Sequence, residues 1–158
     1  MDFQVGDTVV HRNYGPGKII DLEERKIHGS VRACYVVEIG NLTIWVPVDT
    51  DEQPSLRPPT TPRAFKKVIS VLSSPGIPLP EDRQARQQYL HSRMHDGKLT
   101  SVCEVIRDLT LHSRQKKLSD NDKAILERAR GLLVEEWGMC TSTPPAQVER
   151  ELSNLLSN

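Results

Sequence analysis

His91 and His95 stand four residues apart, a spacing that puts two imidazoles on one helix face and would suit a pair of metal ligands. No Glu follows His91 and no third ligand stands nearby, so a pair of histidines on a solvated or nucleic-acid-facing surface is the better reading. Three cysteines, Cys34, Cys103 and Cys140, are odd in number and widely separated, offering neither a CxxC motif nor a disulfide framework. They read as reduced and mostly buried. The chain has no GxSxG, P-loop, GxGxxG or HExxH pattern, and no cysteine with a sequence-local histidine partner. An enzyme is therefore not expected, nor a cofactor, a metal or a small-molecule substrate.

What remains is charge and aromatic surface. Arg83, Arg86, Arg93 and Lys98 surround one predicted helix whose apolar stripe is thin, and Lys116, Lys117 and Lys123 extend the patch. A basic run of this kind is most often an ordinary solvated face, yet it is also what a helix tracking phosphates presents. In the first half, Trp45 alternates with Ile44, so one of the two must face outward. Packing of such a Trp on its own sheet is the common outcome; an exposed aromatic on an edge strand is also a docking anchor, and Arg25 on the preceding hairpin is placed to sit beside it.

The elements that must carry these residues follow from patterning. The 158 residues are 37% apolar but only 4% aromatic, which suits two small cores better than one large sandwich. Net charge is zero, but the first 59 residues hold six basic against nine acidic groups and the remainder a compensating basic excess. No run of about 18 apolar residues exists, and Met1-Asp2-Phe3-Gln4 has no secretory pattern, so a cytoplasmic protein without membrane association is expected.

The first half reads as strands: Thr8–His11, Lys18–Ile27, Val31–Ile39 and a run opening at Leu42-Thr43-Ile44-Trp45-Val46 before Pro47. Asn13-Tyr14-Gly15-Pro16-Gly17, His28-Gly29-Ser30 and Gly40-Asn41 are the turns between them, the two glycines of the first permitting positive φ and its proline fixing its own. Four or five short strands without a crossover helix suggest a small, bent antiparallel barrel. Four prolines in 53–62 mark the boundary. The apolar period then shifts to about 3.6, giving helices around Phe65–Leu72, from near Glu81 to Asp96-Gly97, from Thr100 or Ser101 through Leu109, from a Ser119 N-cap to Gly138, and after Thr143-Pro144 with Val148, Leu152 and Leu155 inward. The expected fold is α+β: a barrel over 1–57, a Pro-rich boundary over 58–62 and a helical bundle over 63–158.

Taken in order, Phe3-x-Val5-Gly6-Asp7-x-Val9-Val10, Tyr14-Gly15-Pro16-Gly17, Leu42-x-Ile44-x-Val46-Pro47-Val48 and Leu56-Arg57 resemble the N-terminal signature of CarD family transcription regulators. The resemblance continues through Gly97, Val105-Ile106-Arg107-Asp108-Leu109, Leu118-Ser119 and Ala129-Arg130-x-Leu132-Leu133. It implies a bacterial, non-enzymatic protein with a Tudor-like, SH3-like RNA polymerase-interacting domain, similar to that of transcription-repair coupling factors, followed by a helical domain that contacts promoter DNA. It further implies docking on the RNA polymerase β-subunit by sheet-edge pairing of Leu42, Ile44, Trp45, Val46 and Pro47, with Arg25 alongside. A second basic contact usual in that strand falls on Trp45. In the helical domain the family's Pro-x-x-Trp-x-x-Arg segment becomes Pro80-Glu81-Asp82-Arg83-Gln84-Ala85-Arg86, with Arg83 where a Trp wedge enters the minor groove. DNA contact is thereby expected at Arg83, Arg86, Arg93, Lys98 and Lys123, without sequence-specific reading, acting on open-complex stability. A protein-only adaptor that docks through the barrel edge is the alternative; steep salt dependence belongs to the first reading and not to the second.

Overall fold

In the computed structural model, residues 3–49 and 54–157 are described, and the chain divides between Pro59 and Thr60 into two compact units. The N-terminal unit is a five-stranded antiparallel sheet: β1 (Thr8–His11), β2 (Gly15–Ile27), β3 (Ser30–Ile39), β4 (Leu42–Pro47) and β5 (Leu56–Arg57), in the order β4-β3-β2-β1-β5. Both tight hairpins are two-residue loops. His28 (φ 50) and Gly29 (φ 83) join Ile27 to Ser30, the double positive φ of a type I′ turn, and Gly40 (φ 58) opens the turn joining Ile39 to Leu42. A bulge between Ile19 and Asp21 changes the β2–β3 register and with it which β2 side chains share a face with β3. Val9, Ile19, Tyr35, Val37, Val46 and Leu56 form the core, and Ile44 packs at its margin.

Three expectations are corrected here. Gly15 has positive φ (89), but Gly17 is a strand residue valued for its lack of a side chain: a Cβ there would collide with Ile39 Cγ1 and lie 2.8 Å from the Glu38 carbonyl. The turn is accordingly short, and β2 already begins at Gly15. The Pro-rich stretch is not all linker, because Leu56-Arg57 pairs with β1 as the outermost strand, where neighbouring prolines remove no interior ladder bond; Gln53, at its start, lies outside the described residues.

The C-terminal unit contains α1 (Pro62–Ser70) followed by a 3-10 turn, Val71–Ser73, then α2 (Arg83–His95), α3 (Leu99–Gln115), α4 (Asp120–Thr141) and α5 (Pro145–Leu156). Each start has a physical cause. Thr61 caps α1 and Asp82 caps α2 through side-chain oxygens, and Ser119 with Asp122 closes a reciprocal capping box on α4. Leu90, Ile106, Leu109, Ala129, Leu133, Val148 and Leu152 fill the core, with Phe65 and Trp137 edge to face at 5.4 Å. Helix α4 runs past Gly138, where its end was expected. A Cβ at Gly138 would stand 3.1 Å from the Thr143 carbonyl, so the glycine allows close approach, and the left-handed residue that stops the helix is Ser142 (φ 53). Thr143 does not cap α5, whose N-cap position is Pro144; Val148, Leu152 and Leu156 are buried, and Leu155 is partly buried against the same core.

Candidate functional site

Strand β4 is an edge of the sheet. Val48 N donates to Ala33 O, and alternation along an antiparallel ladder then turns the N–H groups of Leu42, Ile44 and Val46 toward β3 and those of Thr43 and Trp45 outward. Pro47 has no N–H, so the outward donor row ends there. The edge offers two donors to a strand laid against it.

Side chains alternate in the same way. Trp45 stands opposite Val36, and Glu23 opposite Cys34, so Glu23, Arg25, Cys34, Val36 and Trp45 share the outer face. Trp45 is 39% exposed. Its indole Nε1–H donates to Glu23 Oε2 at 2.8 Å, the Arg25 guanidinium carbon stands 4.0 Å from the centroid of its ring, and Arg25 Nε is 3.7 Å from the same Glu23 oxygen. The three side chains reach one another from β4 and β2 with β3 between. Exposed on both sides, the ion pair contributes at most about 1 kcal/mol, and the stacked cation about 0.5–1 kcal/mol.

Not every expected docking residue lies on this surface. Val46 is buried in the core and Ile44 is half-buried against it, because even-numbered positions of β4 face inward; their side chains are withdrawn from a partner, correcting that part of the expectation. Leu42, at the start of the strand, remains exposed, and Pro47 is half-buried. Beneath the outer face, Cys34 is fully buried; desolvation pushes its thiol up, with Arg25 and Arg32 opposing, so it is a packing group rather than a nucleophile.

In the helical unit, the basic cluster splits into two kinds of residue. Arg86 faces inward and is only 8% exposed. Its Nε donates to Asp122 Oδ1 at 3.2 Å, and its Nη1 donates to the carbonyls of Pro80 (3.2 Å) and Glu81 (3.1 Å). That geometry leaves it no phosphate to reach, and its assignment as a DNA contact is corrected. Burial would raise the Asp122 carboxyl, but hydrogen bonds from Arg86 and Ser119 outweigh it and hold the group below the usual range. Arg93 is half-buried and paired with Glu104. Arg83, Lys98 and Lys123 are exposed and carry no ion pair among the described residues. Arg83 lies one turn from Arg86, and Lys123 beside Asp122, so the buried pair fixes the first turns of α2 and α4 as neighbours and brings these two surface cations to one end of the unit.

Sequence reasoning missed Glu23. The Glu23-x-Arg25 alternation on one strand face was its only signal, and Trp45, 22 residues away, comes near only through the register. His91 and His95 are both exposed on α2, and among the described residues no group of three His, Cys, Asp or Glu side chains could hold a metal ion. Also among the described residues, no helix is long and apolar enough to cross a membrane.

Comparison with known proteins places both units. Residues 3–59 match the CarD-like/TRCF RID domain and residues 67–153 the CarD C-terminal domain. Along 149 residues, 93% of this chain and 97% of the relative, the sequence is 26% identical to "Putative transcription factor YdeB" of Bacillus subtilis (strain 168). With an RNA polymerase-interaction domain first and the family's own helical domain after it, the chain belongs to the CarD family, and it is a non-enzymatic regulator of transcription.

Proposed function

We propose that the protein docks on the RNA polymerase β-subunit by adding the β4 edge to a strand of the partner, with Trp45 and Arg25 as the side-chain anchor. The observation that carries this reading is the coincidence, on one exposed edge strand, of two outward backbone donors and an aromatic stacked on a cation. Backbone pairing supplies affinity in such strand addition, and the anchor supplies selectivity. Through Arg83, Lys98 and Lys123, with Arg93 in a lesser role, the helical unit then contacts promoter phosphates and the minor groove and shifts the closed-to-open balance. About 1.4 kcal/mol of differential contact changes that balance tenfold. The test is binding of the chain to a β-lobe fragment, wild type beside Arg25→Glu, at two salt concentrations. Binding at micromolar affinity or tighter that the substitution weakens supports the reading; a folded wild type that does not bind overturns it.

A second reading, docking without DNA contact, is favoured by the inward turn of Arg86 and the pairing of Arg93, which thin the basic face to a few residues. Promoter affinity that falls steeply with salt supports DNA contact. No measurable DNA affinity at low salt supports the adaptor.

A further inference from the structure

We propose that Glu23 is a positioning residue for the docking face: its carboxylate holds the Trp45 indole and the Arg25 guanidinium in one arrangement before a partner arrives. The inference rests on the docking reading above. A single oxygen, Glu23 Oε2, accepts from the indole N–H at 2.8 Å and faces Arg25 Nε at 3.7 Å, while Arg25 covers the ring at 4.0 Å. The three contacts form a closed triangle, so movement of any member breaks two of them. Strand alternation leaves Glu23 as the carboxylate aimed at the indole: Glu24 belongs to the opposite face, and Asp21, on the same face, accepts from the Leu22 backbone N–H through Oδ1.

The arrangement matters because Trp45 and Arg25 are both long, exposed and otherwise free to change rotamer, and ordering such groups on binding subtracts from affinity. A docking strand held in place by backbone pairing needs the adjacent anchor already in register. Glu23 provides this from two strands away, across Cys34 and Val36, whose burial makes a rigid floor under the ring. It also partly neutralises Arg25, so a partner that engages the guanidinium does so in competition with Glu23.

The test uses the full chain labelled with nitrogen-15, in wild type, Glu23→Ala and Glu23→Gln. Gln keeps an oxygen able to accept from the indole N–H but loses the charge. The expected result is faster hydrogen exchange of the Trp45 Nε1–H in Glu23→Ala, near wild-type exchange in Glu23→Gln, and no change at Trp137, which is buried in the other unit and serves as internal reference. Affinity for the β-lobe fragment should fall about three- to tenfold in Glu23→Ala and by less than about twofold in Glu23→Gln. Glu23→Ala should have no further effect in a Trp45→Ala background. Unchanged affinity in Glu23→Ala, alongside weakened binding by Arg25→Glu, overturns the positioning role while leaving docking intact. If wild type does not bind, the docking reading has failed, and the exchange rates alone decide the clamp: equal Trp45 Nε1–H exchange in wild type and Glu23→Ala overturns it.

Discussion

Arg86 and Asp122, 36 residues apart, meet at 3.2 Å in the interior of the helical unit and tie the first turn of α2 to the first turn of α4. Asp122 serves two structures at once, as the acid of the α4 capping box and as counter-ion to Arg86. A buried pair of this kind adds little over a well-packed apolar substitute, but removing one partner strands the other charge. Asp122→Ala should therefore destabilise the chain by about 3–5 kcal/mol, while Arg83→Ala, one turn away on the surface, should stay within about 0.5 kcal/mol of wild type. Urea unfolding followed by circular dichroism separates the two; equal, small effects would contradict the interior role of Arg86.

The same carboxylate sets an acid limit. Because the Asp122 carboxyl sits below its ordinary value of 3.8 in the folded chain, the unfolded state binds the proton more readily. The stabilisation is fully present above about pH 3.8 and is lost as pH falls through the lower folded value. Asp122→Asn should flatten this part of the stability profile, measured as unfolding midpoints between pH 5 and pH 2.5.

His11 imposes a separate sensitivity on the N-terminal unit. Its Nδ1 accepts from the Asn13 N–H at 3.1 Å, so the folded imidazole is neutral, and burial, with Arg12 beside it, lowers its affinity for a proton. The unfolded chain takes up that proton first, so stability is fully present above about pH 6.5 and declines as pH falls from there through the lower folded value. His11→Asn keeps an acceptor at this place and removes the titration. Its unfolding midpoint should change less between pH 7 and pH 5 than that of wild type.

Gly17 tests the close approach of β2 to the end of β3. A methyl group there meets Ile39 and the Glu38 carbonyl, and backbone cannot yield as a flexible side chain can. Gly17→Ala should cost about 1–3 kcal/mol in thermal or urea unfolding, whereas Gly131→Ala, in α4 with open space at its Cβ position, should be neutral or stabilising.

We propose, from the resemblance of Pro80–Arg86 to the family's Pro-x-x-Trp-x-x-Arg segment, that Arg83 stands where the wedge would be; an arginine can lie in the groove but cannot unstack a base step as an indole does. Arg83→Trp should raise open-complex lifetime, read from abortive-transcript yield on a promoter that the protein affects. No gain would count against a wedge role at this position.

Much of this architecture was legible in the sequence, and the reasons are local. The positive-φ residues at His28-Gly29 and Gly40 fix two-residue turns, which in turn fix which side of β4 carries Trp45. The start of α4 was written in Ser119 and the acid three residues on, whereas apolar spacing and charge placed the starts of α1 and α2 only roughly, near Phe65 and Glu81, and did not single out the Thr61 and Asp82 caps. What was not legible depended on distant partners. Nothing beside Arg86 reveals that Asp122 will neutralise it, so its place in a basic run suggested surface. Gly17 and Gly138 look like turn and stop signals, and only the packed Ile39 and the Thr143 carbonyl show them to be points of close approach. Glu23 acquired its role from a register that a bulge between Ile19 and Asp21 sets.

The most direct test of edge docking is hydrogen exchange at the backbone amides of β4 with and without the β-lobe fragment. Thr43 and Trp45 present their N–H groups outward, whereas Ile44 and Val46 already donate within the sheet. Strand addition predicts strong slowing at Thr43 and Trp45 on binding, with little change at Ile44 and Val46. Binding that leaves Thr43 and Trp45 exchanging at their unbound rates would contradict it.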